Sequence, residues 1–367
     1  MKLLIDARML GNYGIGRYTQ NIIERIDPLS PAANIQLTVL LNNGEEKYLG
    51  RLDHAALMHP LSHTKNYGLK EQAILTYYLS ALKPDLVHFP NFNVVLNKKF
   101  PFVVTIHDLS CLKYPSACPH ILARFYVAFM IGFACRQARL IITDSLNSKQ
   151  DIMNTLHVPE SKIRVIYPAV DSKYQPIKDP ATVLAKYNLP GKYILYVGNH
   201  EKRKNIPALM AAFSQCQAKR EYKLVITGRK DLRRTEIYRT IEALNIGEKI
   251  YFTGYLPEED LPALYTQAGL LAFPSAYEGF GLPILEAMAC GTPVICSKAA
   301  AVTEVSGDAA LTIDPVDTAG FAQGIDKILT DQHLRRQMRE QGLQRAKDFT
   351  WEKTVEEHIK VYKENLA

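Results

Sequence analysis

The sequence predicts an α/β chain made of two doubly wound parallel-sheet units, and three observations carry that prediction. Short apolar, β-branched runs alternate with helix-length amphipathic segments from end to end, the pattern of parallel strands joined by crossover helices. The strand runs are apolar throughout, as strands covered on both faces require. The chain has 367 residues, about twice an ordinary domain of roughly 100 to 200 residues.

In chain order, the first half offers the strand runs KLLID, IQLTVLL, DLVHFP, FVVTIHD, RLIITDS and IRVIYP, with helical periodicity over Arg17 to Ile26 and Ser145 to Leu156. Prolines 168, 176, 180 and 190 then interrupt a polar stretch, which places the domain boundary near Ala169 to Asn188. The first domain is thus expected at 1–170 and the second at 188–349. The second half supplies YILYVG, KLVITG, KIYFTG, LLAFPS, PVICS and ALTID, with helices over Ile206 to Ala218 and Glu258 to Ala268. At the end, Trp351, Val355, Ile359 and Tyr362 stand at helical spacing behind a Thr350 cap. This helix, 350–367, is expected to rejoin the first domain.

Apolar residues make up 47% and charged residues 22%, which suits a globular protein with a sizeable core. The net charge of +7 and pI near 8.9 point to an anionic partner: nucleic acid, an anionic membrane surface or a phosphorylated ligand. No basic run with interleaved aromatics occurs, so nucleic acid is not expected. The opening MKLLIDARML lacks a signal-peptide pattern. The longest apolar run, Phe125 to Cys135, is closed by Arg124 and Arg136 and falls short of the roughly 20 residues needed to span a bilayer. The six cysteines show no C-x-x-C spacing and are expected as buried thiols in a reducing cytoplasm.

In open α/β sheets, ligands bind beyond the carboxyl ends of the strands, so the residues just after each strand matter most. In SAYEGFGLPILEAMACGTPVICS, Ser275 to Ser297, Pro283 marks the first turn of a helix. Gly279 and Gly281 allow close backbone approach, and a helix N-terminus turns free N–H groups toward an anion. The stretch is therefore expected to seat a phosphate. Glu278 would face whatever lies beyond that phosphate, and Glu286 could accept hydrogen bonds from a diol such as a ribose. Taken alone, the same glutamates could equally be a cap and a surface charge.

Arg203 and Lys204 follow YILYVG, which ends at Gly198, and precede a helix start near Asn205. Cations there oppose the helix dipole, which suggests an anionic ligand as the missing partner, with a solvated charge run as the alternative. Gly228 in ITGRKD, and Tyr255 and Leu256 in FTGYLPEEDL, follow further strands and could line a nucleobase pocket. Gly14 and Gly16 in GNYGIGRYTQNI read as a flexible loop facing a substrate. Thr19 stands where G-x-G-x-x-G needs glycine, and the second strand ends without an acidic residue, so a nicotinamide cofactor is disfavoured. His107 ends VVTIH at the ligand-binding edge and is a candidate active-site group. No D-x-D occurs, which argues against a metal held by paired aspartates.

Together, EGFGLPILEAMACGTPVI, YVGNHEKRKN, FTGYLPEEDLPALY and IDARMLGNYGIGRY resemble the retaining glycosyltransferases of family 4, over nearly the whole chain. The resemblance implies a GT-B fold, two Rossmann-like domains facing a central cleft. It implies a nucleotide-sugar donor bound mainly by the second domain and a glycan or lipid-linked acceptor bound mainly by the first. It further implies that Arg203 and Lys204 neutralise the donor diphosphate, that Glu286 holds the ribose, and that Glu278 lies near the donor sugar. The Gly279, Phe280, Gly281 and Leu282 backbone would then meet sugar and phosphate, His107 would be the active-site histidine, and Gly14 and Gly16 the glycine-rich loop.

Where many members carry Arg directly after the glycine of YVG, this chain has Asn199. The sequence is closer to a mannosyltransferase-like branch that reads E-P-R-K-N, with Lys202 in place of its proline. The expected activity is hexosyl transfer, mannose from GDP-mannose, with retention, no metal and no cofactor, in surface polysaccharide or glycolipid synthesis. A UDP-sugar donor, a nucleotide-sugar epimerase and a non-catalytic nucleotide-sugar sensor are the alternatives. The segment His120 to Arg139 reads chiefly as a buried crossover helix, because apolar residues surround it; its aromatics and arginines also suit an interfacial helix at a lipid-linked acceptor. A cytoplasmic location follows, with peripheral contact at the inner face of the membrane as a further expectation.

Overall fold

The computed structural model describes residues 1–59, 68–114, 120–228 and 235–366. The chain divides into two units, Met1–Pro168 with Thr350–Ala367, and Ala169–Phe349. The proline-rich stretch from Ala169 onward therefore belongs to the second unit.

The first unit carries seven strands: β1 (Lys2–Asp6), β2 (Gln36–Leu40), β3 (Ala56–Met58), β4 (Leu86–Phe89), β5 (Phe102–Thr105), β6 (Leu140–Thr143) and β7 (Ile163–Val165). They form one sheet in the order β3-β2-β1-β4-β5-β6-β7, every pair parallel. The order reverses between β1 and β4, the switch point where such sheets open a crevice at their carboxyl edge. β4, β5 and β6 are buried along their whole length, which explains their uninterrupted apolar runs. β3 escaped the sequence reading because it is three residues long, at the sheet edge and largely exposed. The Asp27 carboxylate anchors it, accepting hydrogen bonds from the backbone N–H groups of Asp53, His54 and Ala55 at 2.7, 3.1 and 2.6 Å.

Helix α1 (Tyr13–Ile26) corrects the expected glycine-rich loop. Gly14 and Gly16 lie within its first turns, and α1 begins behind Asn12, which makes no side-chain cap. That missing cap signal is why the segment reads as a loop. Gly16 packs against backbone: a Cβ there would lie 2.1 Å from the Leu10 carbonyl oxygen. Close approach, not freedom to move, is what demands glycine at that position.

α2 (Leu69–Leu82), α3 (Ser110–Lys113), α4 (Ile121–Gln137) and α5 (Leu146–Leu156) follow. α4 is not simply a buried crossover. Met130, Ile131, Ala134 and Cys135 are buried, whereas Leu122 and Phe125 are 78% and 68% exposed, and Ile121 and Phe129 are exposed too. Its apolar surface divides between core and solvent. Among the described residues, no helix is long and apolar enough to cross a membrane.

The second unit holds α6 (Ala181–Lys186), β8 (Tyr193–Tyr196), α7 (Ile206–Gln215), β9 (Lys223–Thr227), α8 (Thr235–Leu244) and β10 (Ile250–Gly254). α9 (Leu261–Gln267), β11 (Leu270–Phe273), α10 (Leu282–Ala289), β12 (Val294–Ser297), α11 (Ala300–Ser306), β13 (Leu311–Ile313), α12 (Thr318–Thr330) and α13 (Gln332–Ala346) complete it. Its sheet, in the order β10-β9-β8-β11-β12-β13, is also wholly parallel. The topology repeats that of the first sheet, with the switch point between β8 and β11.

After the second unit the chain returns to the first as α14 (Trp351–Glu364), where Thr350 accepts a capping hydrogen bond from the Lys353 backbone N–H. Trp351, Val355, Val361 and Tyr362 are buried, each worth about 1.5–3 kcal/mol of transfer free energy. The described cysteines are free thiols, and burial pushes Cys135, Cys216 and Cys296 up to about 12, which makes them poor nucleophiles.

Candidate functional site

In the second unit the predicted residues converge from the two strands that flank the switch point. β8 leads through Gly198 into a single helical turn, Lys202–Lys204, and β11 leads into the loop before α10. The loops are tied together where the Ala276 N–H donates to the Arg203 carbonyl at 2.8 Å. Lys204 Nζ donates to Glu278 Oε1 at 2.6 Å and Arg203 Nη1 to Glu278 Oε2 at 2.9 Å. Arg203 Nη1 also donates to the Tyr277 carbonyl at 3.0 Å, and Arg203 Nε to Glu201 Oε2 at 2.7 Å.

The expectation that these cations lack an anionic partner is therefore corrected: Glu278 and Glu201 are already against them. An ammonium has three donors and a guanidinium five, so this pairing does not exhaust what a further anion could use. Burial alone would push the Glu278 carboxyl up, but the charges of Lys204 and Arg203 and the hydrogen bond from Lys204 outweigh it and hold the group below the usual carboxylate range. Glu278 is a buried, ionised, doubly paired carboxylate.

α10 starts at Leu282 behind Gly281, whose φ of +124° is open to glycine and strained for other residues. Pro283 sits in its first turn, where its missing N–H costs nothing. Glu286 lies in the second turn, buried, and accepts a hydrogen bond from the Tyr265 hydroxyl at 2.7 Å. The two glutamates of the motif thus serve different clusters.

Phe280 is buried, its ring 5.7 Å from that of Phe349 in an edge-on contact. Gly198 and Gly228 close the carboxyl ends of β8 and β9 backbone to backbone: a Cβ on Gly228 would lie 2.1 Å from the Gly198 carbonyl oxygen. Tyr255 is exposed and Leu256 buried beside it. Arg229 to Asp231, the rest of the ITGRKD turn, lie outside the described residues.

In the first unit His107 follows β5 and stands between two acceptors. Its Nδ1 is 2.7 Å from Asp144 Oδ2 and its Nε2 is 3.0 Å from the Pro90 carbonyl oxygen. A neutral ring can donate to only one of them; the imidazolium donates to both. Burial pulls its pKa down, but the charge and hydrogen bond of Asp144 with the Pro90 contact leave it raised. Tyr18 packs edge-on against the imidazole, ring centres 4.8 Å apart.

Behind it runs a buried polar chain. The Tyr18 hydroxyl meets His358 Nε2 at 2.8 Å and Thr105 Oγ1 at 3.1 Å, Thr105 meets His88 Nε2 at 2.8 Å, and the Tyr362 hydroxyl meets His88 Nδ1 at 2.8 Å. Nearer the switch point, Arg8 is buried between Asp6, at 2.7 Å, and Glu71, at 2.5 Å. A small cavity there is lined by Asp6, Arg8, Asn91 and Asn93.

Sequence reasoning missed Asp144, Glu201 and Tyr265. Asp144 directly follows β6, so the rule that favours strand carboxyl ends could have found it. Tyr265 lies inside α9, and nothing local marks it.

Two family models match the chain: Glycosyltransferase Family 4 over residues 13–174 and Glycosyl transferases group 1 over residues 185–345. An O-antigen chain mannosyltransferase B of Escherichia coli is 33% identical over 368 aligned residues, covering 95% of this chain and 96% of that protein. A serotype-specific mannosyltransferase of Escherichia coli is 29% identical over 80% of this chain, which spans only 38% of that longer protein. The solved sucrose-phosphate synthase of Thermosynechococcus elongatus superposes with a TM-score of 0.79 at 22% identity, covering 99% of this chain and 98% of its own. The two parallel-sheet units are those of the GT-B glycosyltransferase fold.

Proposed function

This chain belongs to glycosyltransferase family 4, and from that premise we propose that it moves mannose from GDP-mannose onto a glycan or lipid-linked acceptor in surface-polysaccharide synthesis. It is a glycosyltransferase, which sets aside the epimerase and the non-catalytic sensor. The choice of mannose and of polysaccharide rests on the 33% identical O-antigen mannosyltransferase.

The observation that carries the chemistry is the Arg203–Glu278–Lys204 cluster at the β8–β11 switch point. Departure of a nucleoside diphosphate leaves an oxocarbenium-like centre and a growing anion, so the task is electrostatic. Arg203, Lys204 and the α10 N-terminus hold the leaving group. The bond from the anomeric carbon to the phosphate oxygen breaks as the acceptor oxygen bonds to the same face, and the acceptor proton passes to the departing phosphate. Glu278, tied up by two cations, orients the sugar and is a poor nucleophile. Retention and independence of a metal follow from this scheme. Glu286 and Tyr265 place a carboxylate–hydroxyl pair for the ribose, and His107 serves the acceptor side. The exposed apolar face of α4, beside Arg124 and Arg136, supports peripheral contact with the cytoplasmic membrane surface. Flotation with anionic vesicles that Phe125→Ser/Phe129→Ser abolishes is the expected result; flotation that survives the substitutions removes α4 from that role.

A thermal-shift panel of GDP, UDP, ADP and dTDP, with Glu286→Ala beside the wild type, tests the donor. A ligand at about 100 times its dissociation constant adds roughly 2.7 kcal/mol, a shift of several degrees. GDP alone stabilising the wild type, with the effect lost in the variant, is the expected outcome. Stabilisation by UDP would replace the donor, and unchanged GDP binding in Glu286→Ala would remove Glu286 from the ribose.

A further inference from the structure

We propose a second anion-binding site, on the amino edge of the second unit's sheet, in which Arg335, Arg336 and Arg339 take a phosphate or diphosphate group. A cavity of about 290 Å³ lies there, lined by these arginines with Gln332, Thr266 and Gly291. Ala268 and Pro293, which also line it, lead into β11 and β12, whereas the Arg203–Glu278 cluster follows the carboxyl ends of β8 and β11. The volume is close to the lower end of the roughly 300–1,000 Å³ of small-molecule sites.

On α13, residues 332, 335, 336 and 339 fall on one face by their three- and four-residue spacing. Like charges four apart destabilise a helix, and Arg335 and Arg336 stand near its N-terminal end, where the dipole disfavours cations. A chain that keeps three arginines there carries an electrostatic cost that a bound anion would relieve. Among the described residues none of the three forms an ion pair. The nearby Asp331 carboxylate is taken up by the His333 and Leu334 backbone N–H groups at 2.9 and 3.0 Å. Further along the same helix, Arg345 does have its carboxylate, Asp348 at 3.0 Å.

The site is also shaped. Arg339 Nη1 donates to the Gly291 carbonyl at 3.1 Å, and a Cβ on Gly291, whose φ is +74°, would lie 2.6 Å from that nitrogen. Any other residue would push the guanidinium away. The carbonyl fixes one corner of the fork, and planar guanidinium groups match phosphate oxygens in pairs. Three cations in one recess favour a multiply charged group. The chemistry is shared by soluble phosphorylated compounds and by lipid phosphates.

Calorimetric titration of the full chain with inorganic diphosphate at low salt tests the site, and it does not depend on the donor assignment. Arg335→Gln/Arg336→Gln, at half-buried and exposed positions, is expected to melt no lower than the wild type and to lose at least tenfold in affinity for one class of bound diphosphate. An isotherm unchanged by the substitutions, or no binding beyond the donor side, would overturn the proposal. Phosphatidylcholine vesicles with and without phosphatidic acid separate the sources. Flotation that requires phosphatidic acid and is lost in the variant assigns the site to lipid phosphate. Variant-sensitive diphosphate binding with flotation unchanged assigns it to a soluble ligand.

Discussion

Glu278 holds two cations and is held by them, so removing its charge leaves Lys204 without its carboxylate and Arg203 with Glu201 in a buried site. Removing one partner of a buried ion pair costs about 3–5 kcal/mol. Glu278→Gln is therefore expected to lower unfolding stability by roughly 3 kcal/mol in denaturant melts, and to cut turnover by about a hundredfold, the scale of misplacing the sugar at the reacting centre. A variant with wild-type stability would mean that the cluster is not a coupled unit. The lowered pKa of Glu278 contributes stability above the unfolded carboxyl value of about 4.3. That contribution is lost as pH falls through the folded value.

His107 has the opposite sign: its raised pKa gives stability that is complete below about pH 6.5 and lost as pH rises through the folded value. Asp144→Asn removes the charge that lifts it, so the His107 ring signal in a nuclear magnetic resonance titration should move to lower pH. An unmoved titration would show that Asp144 does not set the protonation state. The sequence pointed to His107, Glu278, Arg203 and Lys204 because each follows a strand. It could not show that Glu278 is the partner of the two cations, because that pairing spans more than seventy positions and exists only once β8 and β11 are adjacent.

At the scale of elements, α14 is fastened to the first unit by polar as well as apolar contacts. The His358 imidazole is buried neutral, its pKa pulled to about 4 by burial. The unfolded chain binds that proton near pH 6.5, so stability falls as pH drops from about 6.5 to 4, by roughly 3 kcal/mol in total. Tyr362 donates or accepts at His88 Nδ1 in the same buried chain. Tyr362→Phe leaves that nitrogen unpaired and should cost about 1–3 kcal/mol, read as a lower denaturation midpoint with an unchanged slope. A neutral result would mean that water replaces the hydroxyl. The periodicity of α14 and its Thr350 cap were legible because both signals are local. β3 was not, since a three-residue edge strand has no run to see, and α1 was misread at its start because no side chain caps it. The exposed apolar face of α4 was hidden by a composition that reads as buried all round.

For the whole molecule, the two units differ in how the chain builds them, and that difference has a consequence for folding. The second unit is one continuous segment, Ala169–Phe349, with a core drawn from within it, from Ile194 and Phe213 to Ile325 and Met338. The first is discontinuous. Its sheet comes from the first segment, but Trp351, Val355, Val361 and Tyr362 enter from the other end, and the Thr354 hydroxyl donates to the Tyr167 carbonyl at 2.7 Å. Four buried side chains at about 1.5–3 kcal/mol each amount to a large part of the roughly 5–15 kcal/mol that holds a domain folded. A fragment of residues 169–349 is therefore expected to unfold cooperatively on its own and to be stabilised by the nucleoside diphosphate that stabilises the full chain. A fragment of residues 1–168 should melt without a cooperative transition and recover one when a peptide of residues 350–367 is added. Cooperative melting of the 1–168 fragment alone would show that α14 decorates the first unit and does not complete it. A folded 169–349 fragment that ignored the nucleotide would show that the Arg203–Glu278–Lys204 cluster and α10 are not by themselves enough to seat the donor.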